Sequence, residues 1–241
     1  ECNQPEKIYD KFYSSLYDEL FRSKAREQFE VLQTREVCIK NYKGKVRILD
    51  LGCGLGHTTD LLNQYKYNVS GLDISSNMIE KAKINYPLLD FKVGDMMKPD
   101  NFEPKSFSHI TCFFYSVYYC DNIHQLFENV NRWLVPEGYF VVHLVDKRKF
   151  DPVLERSSSI IPLYNPQRYG RKTHTTLKFS DFDYAADWNL DGTPVKFAEI
   201  FKFGDQKVRK NNHNLYMYTM KKYVDTAKAT GFKLIQTTDM A

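Results

Sequence analysis

The sequence lacks the features that mark several specialised classes of protein. No run of five or more basic residues occurs in the 241-residue chain, where 34 Lys and Arg against 30 Asp and Glu leave a net charge of +4. A nucleic-acid-binding protein usually shows a concentrated basic patch. No apolar stretch approaches the roughly 20 residues needed to cross a bilayer. We therefore expect neither a nucleic-acid partner nor a membrane span.

Cysteine is scarce and shows no pairing pattern. The five cysteines are odd in number and include neither a CxxC pair nor a neighbouring histidine cluster. This spacing argues against a disulfide framework and against a zinc site, so we expect no metal and a reducing, cytoplasmic location. No signal peptide is visible. The chain begins with Glu1 rather than Met, however, so the removal of an N-terminal leader stays an open alternative.

Helix-breaking residues are missing from the first part of the chain. Neither glycine nor proline occurs between Pro5 and Gly44, and apolar residues recur at helical spacing from Ile8 to Val37. This periodicity predicts one or two helices over residues 8–42.

From Lys45 onward, short apolar runs alternate with amphipathic segments. Such alternation requires right-handed crossovers and a mostly parallel sheet. The sequence therefore predicts an α/β fold with a Rossmann-like, doubly wound sheet. The predicted strands are 46–51, 69–74, 91–93, 107–115 and 139–145, and the predicted helices between them are 57–65, 76–85 and 122–134.

The alternation ends after Asp146. Residues 176–218 show the pattern of three antiparallel strands, with turns at Asp191-Gly192 and Gly204-Asp205. Val195, Phe197, Phe201 and Phe203 recur on one predicted face, and a helix over 220–230 and a strand over 232–237 follow. We expect a single domain made of an N-terminal helical cap (1–44), a cofactor-binding core (45–146), an antiparallel insertion or lid (147–218) and a final helix and strand (219–241). Because the chain stops at Ala241, we expect either a truncated sequence or an open sheet edge.

The clearest chemical signal is the segment Asp50-Leu51-Gly52-Cys53-Gly54-Leu55-Gly56, in which a buried strand leads into a glycine loop and then a helix. Glycines let the backbone turn sharply and approach a ligand closely. Asp73 ends the next strand, where a carboxylate can accept both hydroxyls of an adenosine ribose. Asp95 ends the third strand, where it can meet an adenine amino group while Met96 packs on the ring.

On these residues the sequence resembles the class I S-adenosylmethionine-dependent methyltransferases over about residues 45–146. The resemblance implies that the glycine loop passes the methionine part of S-adenosyl-L-methionine, that Asp73 binds ribose and that Asp95 approaches adenine. S-adenosyl-L-homocysteine is the implied product. The tyrosine-rich N-terminal helix and the antiparallel insertion are similar to the small-molecule branch, including sugar and amine N-methyltransferases. The cofactor-binding residues expected are Asp50, Gly52, Cys53, Gly54, Gly56, Asp73, Ile74, Met78, Asp95, Met96, Phe113 and Tyr17.

Methyl transfer depends mainly on aligning the reactants and excluding water. Aromatic walls suit a cationic methyl group, because ring faces attract positive charge. An amine or hydroxyl acceptor can also require a base. The predicted catalytic residues are Tyr13 and Tyr115 as walls and His143 as the base, with Asp146, His124 and His213 as alternative bases.

The sequence favours a small polar acceptor, with an amino or hydroxyl group of a sugar or metabolite as the leading hypothesis. It lacks both the Asn/Asp-Pro-Pro-aromatic motif of adenine-N6 methyltransferases and the Pro-Cys pair of cytosine-C5 enzymes. Three alternatives stay open: a nicotinamide-dependent oxidoreductase, disfavoured by the GxGxG spacing, a protein or RNA methyltransferase, and a methyltransferase-like binding subunit without catalysis. A homodimer also stays open as the oligomeric state.

Overall fold

A five-stranded parallel sheet forms the centre of the fold, in a computed structural model that describes residues 2–150 and 173–239. Its strands are β1 (Arg47–Leu51), β2 (Asn68–Asp73), β3 (Asp90–Val93), β4 (Phe107–Cys112) and β5 (Leu134–Val142). Their spatial order is β3-β2-β1-β4-β5, and every neighbouring pair is parallel. The predicted Rossmann-like sheet is confirmed. The order reverses between β1 and β4, which is where open α/β sheets form a ligand crevice at the carboxyl ends of the strands.

Local backbone geometry sets the strand ends. β4 is buried at every residue but ends at Cys112, three residues before the predicted end, because Phe114 and Tyr115 turn the chain with φ angles of +35° and +55°. β5 begins at Leu134 rather than Tyr139, and its pairing with β4 is interrupted by an irregularity.

Seven α-helices are seen in the described residues. The predicted N-terminal helices are confirmed, and two of them begin with side-chain caps, at Asp10, which accepts from Tyr13 N at 3.0 Å, and at Ser23, which accepts from Arg26 N at 3.4 Å. None of these helices has the length and apolar character of a membrane span. The helices are α1 (Pro5–Ile8), α2 (Lys11–Phe21), α3 (Lys24–Thr34), α4 (His57–Gln64), α5 (Ser76–Asn85), α6 (Ile123–Trp133) and α7 (Met220–Ala229).

The insertion after β5 contains an antiparallel sheet of four strands, one more than predicted. These strands, in spatial as in chain order, are β6 (His174–Lys178), β7 (Phe182–Asn189), β8 (Val195–Phe203) and β9 (Val208–Leu215). The additional strand, β6, lies at the sheet edge and carries polar residues at most positions, so its sequence gives little alternation. Residues 151–172 of the predicted insertion lie outside the described residues.

The four-stranded sheet, called here the lid sheet, lies over the carboxyl end of β4. A 3₁₀ turn, Ser116–Tyr119, follows β4, and its Tyr118 carbonyl accepts a hydrogen bond of 2.7 Å from Tyr216 N just after β9. Side chains of both sheets also share one buried apolar cluster, which includes Leu49 and Phe201. The predicted placement of the insertion over this edge is therefore confirmed.

The predicted strand over residues 232–237 does not form. After α7, the backbone amides of Thr230, Gly231 and Phe232 donate to carbonyls of that helix at 3.0, 3.1 and 2.8 Å. The chain then lines a cavity of about 840 Å³ beside β5, and Leu234 and Ile235 are 51% and 62% exposed. An apolar alternation becomes a strand only where a neighbour accepts its hydrogen bonds, and within the described residues this segment pairs with none.

Hydrogen bonds of Ser75 connect the start of α5 to the N-terminal segment. Its buried hydroxyl accepts from Met78 N at 3.1 Å and donates to the Tyr9 carbonyl at 2.5 Å. We expect Ser75→Ala to lower the free energy of unfolding by about 2 kcal/mol, because it removes a helix cap and leaves that carbonyl without its donor. Urea denaturation followed by circular dichroism measures the change.

Ser23→Ala is the matched control for this prediction. Ser23 caps α3 through Arg26 N at 3.4 Å and is only partly buried, so we expect a loss of about 1 kcal/mol or less. Equal losses in the two variants would show that the contact with Tyr9 adds nothing to the cap.

Candidate active site

The glycine loop leaves an open approach to the backbone at the crevice between β1 and β4. Gly54 N donates to Asp73 Oδ2 at 2.9 Å, which holds the loop against the end of β2. Its φ angle of +52° lies in the left-handed region that favours glycine, and a Cβ built on it meets no atom within 4 Å. The loop therefore offers free space beside a fixed carboxylate.

Asp73 is positioned to accept further hydrogen bonds. Its Oδ1 accepts from Ser75 N at 2.9 Å and its Oδ2 from Gly54 N, so each oxygen retains acceptor capacity. Burial raises the pKa of this carboxyl, while the backbone amides, those of Ser75 and Gly54 first, act in the opposite direction. Ile74 follows it and is 37% exposed, providing an apolar surface beside the carboxylate.

Asp95 lies in the turn after β3, at the same edge of the sheet. Its Oδ1 accepts from Met97 N at 2.9 Å. The half-buried Met96 is held by its carbonyl, which accepts from Asn129 Nδ2 at 3.0 Å. The two side chains predicted to meet adenine thus follow the strand next to the one that ends at Asp73.

Three of the predicted cofactor residues have buried side chains behind the loop. Asp50 is 2% exposed and accepts from Thr59 Oγ1 at 2.8 Å and Thr111 Oγ1 at 2.9 Å, which joins β1 to α4 and β4. Cys53 and Met78 are buried in the core as well. Cofactor contacts of all three residues stay predictions.

A cluster of tyrosines lies next to Asp73. The ring centroid of Tyr9 lies 6.2 Å from that of Tyr17 and 6.0 Å from that of Tyr119. Burial raises the pKa of all three hydroxyls, and the charge of Asp73 raises the pKa of Tyr17 and Tyr119 further, so the hydroxyls stay protonated. These three residues are called here the tyrosine cluster.

Two predicted catalytic tyrosines lie at the margins of this cluster. Tyr13 is buried and donates to Glu199 Oε1 at 2.9 Å, so its hydroxyl is already engaged. Tyr115 packs its ring 4.2 Å from Phe114 and 6.1 Å from Trp188 of β7, which links the turn after β4 to the lid sheet. Catalytic roles for both stay predictions.

The predicted base His143 directly follows β5 and contacts α3. Its Nδ1 is 2.7 Å from Glu30 Oε1, close enough for an ion pair although the approach lacks hydrogen-bond geometry. It also lines the cavity beside β5, as does Phe113. Of the alternative bases, His124 pairs with exposed Glu128 at 3.5 Å, and Asp146 with exposed Arg148 at 3.1 Å.

Glu199 is the most prominent polar residue that the sequence analysis missed. It is 0% exposed and its carboxylate accepts four hydrogen bonds, from Tyr13, Tyr184, Asn211 and His213, at 2.9, 2.8, 3.1 and 2.8 Å. A signal was available, because residue 199 falls in the same phase of β8 as the apolar residues predicted to face inward. A charge in that phase indicates a buried polar network.

Arg26 is a second missed residue. Its guanidinium carbon lies 3.7 Å from the centroid of the Phe114 ring, and Nη1 donates to the Phe21 carbonyl at 3.4 Å. Its Nε is buried without a hydrogen-bond partner among the described residues. The positive charge lowers the pKa of Tyr17 and Tyr115, which places it beside the tyrosine cluster. An arginine on an N-terminal helix carries no sequence signal for this position.

Comparison with known proteins adds to this geometry. A family model described as a methyltransferase domain matches residues 49–142. Residues 49–142, the core of the chain, therefore match a methyltransferase domain. The predicted resemblance to methyltransferases is confirmed over these residues.

The chain is also similar to known relatives and solved structures. A Methanocaldococcus jannaschii protein described as uncharacterised is 35% identical over 135 residues, covering 55% of this chain and 48% of its own. The crystal structure of an S-adenosylmethionine-dependent methyltransferase from Clostridium acetobutylicum has a TM-score of 0.69 at 20% identity, over 91% of this chain and 86% of that one. The sugar N-methyltransferase KedS8 from Streptoalloteichus has a TM-score of 0.67 at 15% identity, over 91% and 83%. These two structures show the fold, and the chain spans about half the length of the curated relatives it matches.

Proposed function

We propose that this methyltransferase transfers the methyl group of S-adenosyl-L-methionine to an amino or hydroxyl group of a small polar acceptor, with a sugar or metabolite as the leading class. The observation that carries the proposal is the tyrosine cluster, which stands between the glycine loop and the lid sheet. The hydroxyls of Tyr9 and Tyr119 are hydrogen-bonded to each other at 2.8 Å, at the place where the two sheets meet.

The residues at the crevice fit the cofactor part by part. Asp73 has the acceptor capacity for two ribose hydroxyls, and Asp95 with Met96 provides a carboxylate and a thioether for adenine. Gly54 leaves room for the methionine part of the cofactor. The Nε of Arg26, which has no hydrogen-bond partner within residues 2–150 and 173–239, can donate to the methionine carboxylate. A buried cationic donor without a partner is costly alone, so a carboxylate ligand would stabilise it.

The acceptor side favours an enclosed small molecule. When bound, the cofactor supplies a methyl group on a cationic sulfur, and the chain supplies position and a dry, aromatic environment. The faces of Tyr17 and neighbouring rings attract positive charge, and the lid sheet keeps water away from the reacting centre. The similarity to the sugar N-methyltransferase KedS8 supports an amino sugar as the first acceptor to test.

Labelled methyl transfer tests this proposal. We expect incorporation of label from S-adenosyl-L-methionine into members of a panel of small amines, amino sugars and nucleotide sugars. We expect no incorporation into tRNA, rRNA or DNA. The Asp73→Ala variant serves as the cofactor-site control and should reduce labelling of every acceptor in proportion. Strong labelling of a nucleic acid with none of the small molecules would refute the acceptor class and leave the methyltransferase domain assignment unchanged.

A further inference from the structure

A continuous row of hydrogen-bonded side chains joins the lid sheet to the tyrosine cluster. Glu199 Oε2 lies 2.8 Å from His213 Nε2, His213 Nδ1 lies 2.7 Å from Tyr119 Oη, and Tyr119 Oη lies 2.8 Å from Tyr9 Oη. Building on the proposed function, we propose that these four side chains form a proton relay that withdraws a proton from a cationic amino acceptor.

The hydrogen-bond pattern fixes the direction of the relay. An ionised Glu199 accepts only, and its other three donors occupy the remaining positions of the carboxylate, so His213 must donate through Nε2. In a neutral imidazole the lone pair then lies on Nδ1, which accepts from Tyr119. Tyr119 in turn accepts from Tyr9. This arrangement follows the logic of a carboxylate that orients a histidine base.

The two ends of the relay belong to different parts of the fold, Tyr9 to the N-terminal segment beside α5 and Glu199 to the lid sheet. Tyr119 ends the 3₁₀ turn after β4, and Ser116 at the start of that turn donates to the Gly52 carbonyl at 3.3 Å. Tyr9 is anchored to the glycine-loop side by its carbonyl, which accepts from Ser75. His213 and Glu199, in contrast, are buried in the lid sheet. Tyr9 Oη is thus the end of the hydrogen-bonded row opposite to Glu199, and the Tyr9 backbone lies against the start of α5 on the cofactor side.

The proton movement balances without a further reactant. An N–H bond of the ammonium acceptor breaks, its electron pair stays on nitrogen, and the proton bonds to Tyr9 Oη. The Tyr9 hydroxyl proton passes to Tyr119 Oη, and the Tyr119 proton passes to His213 Nδ1. His213 becomes an imidazolium that the Glu199 carboxylate stabilises. The freed lone pair can then attack the methyl carbon, and the reverse movement returns the proton to water after product release.

Few other charges surround His213. On β9, Arg209 donates to Asn211 Oδ1 at 3.0 Å and is paired with Asp10 at 2.7 Å. On β8, Lys196 donates to Asn214 Oδ1 at 2.6 Å. Glu199 is therefore the charged group in direct contact with the imidazole.

His213→Gln tests the relay while preserving both hydrogen bonds. The glutamine amide can donate to Glu199 and its carbonyl can accept from Tyr119, but it cannot take up a proton. With an amino acceptor we expect kcat at pH 7 to fall about tenfold. The rate should recover above the pKa of the free acceptor amine, where the neutral amine forms in water. The Kd for S-adenosylhomocysteine should not change.

Tyr184→Phe is the matched control. Tyr184 donates to Glu199 Oε1 at 2.8 Å and is buried like His213, but it lies outside the relay. We expect this variant to keep the wild-type pH profile of kcat. If Tyr184→Phe and His213→Gln change the profile equally, or if His213→Gln keeps the wild-type profile, the relay is wrong.

A measurement without turnover separates this inference from the proposed function. Histidine ¹⁵N NMR of the wild-type protein at pH 8 should show His213 as the Nε2–H tautomer, and Tyr119→Phe should shift its Nδ1 resonance. An Nδ1–H tautomer would overturn the relay even if methyl transfer is observed. Absence of methyl transfer to every acceptor, with the Nε2–H tautomer present, would refute the proposed function and leave the relay geometry supported.

Discussion

Asp73→Ala is expected to lower the affinity for S-adenosylhomocysteine by at least about a hundredfold. The substitution removes the proposed acceptor for two ribose hydroxyls and releases Gly54 N and Ser75 N, which it holds at 2.9 Å. Hydrogen bonds to a charged group contribute about 1.5 to 3 kcal/mol each, and about 1.4 kcal/mol corresponds to a tenfold change in Kd. Isothermal titration calorimetry measures the difference directly.

Two further variants distinguish binding from folding in this experiment. Asp73→Asn keeps one carbonyl acceptor and should retain part of the affinity. Asp90→Ala removes an exposed carboxylate from neighbouring β3 that accepts from Ser70 Oγ at 3.1 Å, and should leave the affinity unchanged. Since Asp73 also anchors the loop, its alanine variant should melt a few degrees lower. Unchanged affinity in Asp73→Ala would remove this residue from the ribose site.

Asp50→Asn is expected to change how stability depends on pH. Burial raises the pKa of Asp50 to about 7, despite the two threonine hydrogen bonds that act to lower it. Against an unfolded value of about 3.9, the folded protein binds more protons than the unfolded chain between about pH 4 and 7. The contribution of Asp50 to the free energy of unfolding therefore falls as pH rises through that window. Between pH 5 and 8 the stability of Asp50→Asn relative to wild type should rise by about 2 to 3 kcal/mol.

Urea denaturation of both proteins at pH 5 and pH 8 provides the measurement. Asp100→Asn, in an exposed position after β3, is the matched control and should show no such pH-dependent difference. The hydroxyls of Thr59 and Thr111 can rotate to donate to or accept from the new amide, so the comparison reports mainly on charge. A constant difference between Asp50→Asn and wild type across this range would contradict a raised pKa.

The parts of the fold predicted from sequence are those with strong local periodicity. The βαβ alternation and the glycine loop can be recognised because short strands rich in apolar residues, such as β1, alternate with amphipathic helices. The segment 232–237 carries the same kind of apolar pattern but lies beside a cavity without strand pairing. Whether an apolar run becomes a strand depends on a partner edge, which lies far away in the sequence.

Only the parts of the candidate site that lie at strand ends and in the glycine loop can be predicted from the sequence. Asp73 and Gly54 were found because strand ends and glycine loops have fixed geometry. Glu199, His213 and Tyr119 come from separate elements, and only tertiary packing brings them within hydrogen-bond distance. His143 is predicted as a base from its position at the end of β5, but no sequence pattern indicates its charged neighbour, Glu30 of α3.

The contacts of the N-terminal segment have a consequence for the order of folding. Asp10 pairs with Arg209 at 2.7 Å and Tyr13 bonds Glu199 at 2.9 Å, so residues near the start of the chain complete a sheet that emerges from the ribosome almost two hundred residues later. Contacts of such long sequence separation slow folding because the loop-closure entropy is lost first. During synthesis, the apolar face of α2 therefore stays unburied, and accessible to chaperones, until β8 and β9 have been made.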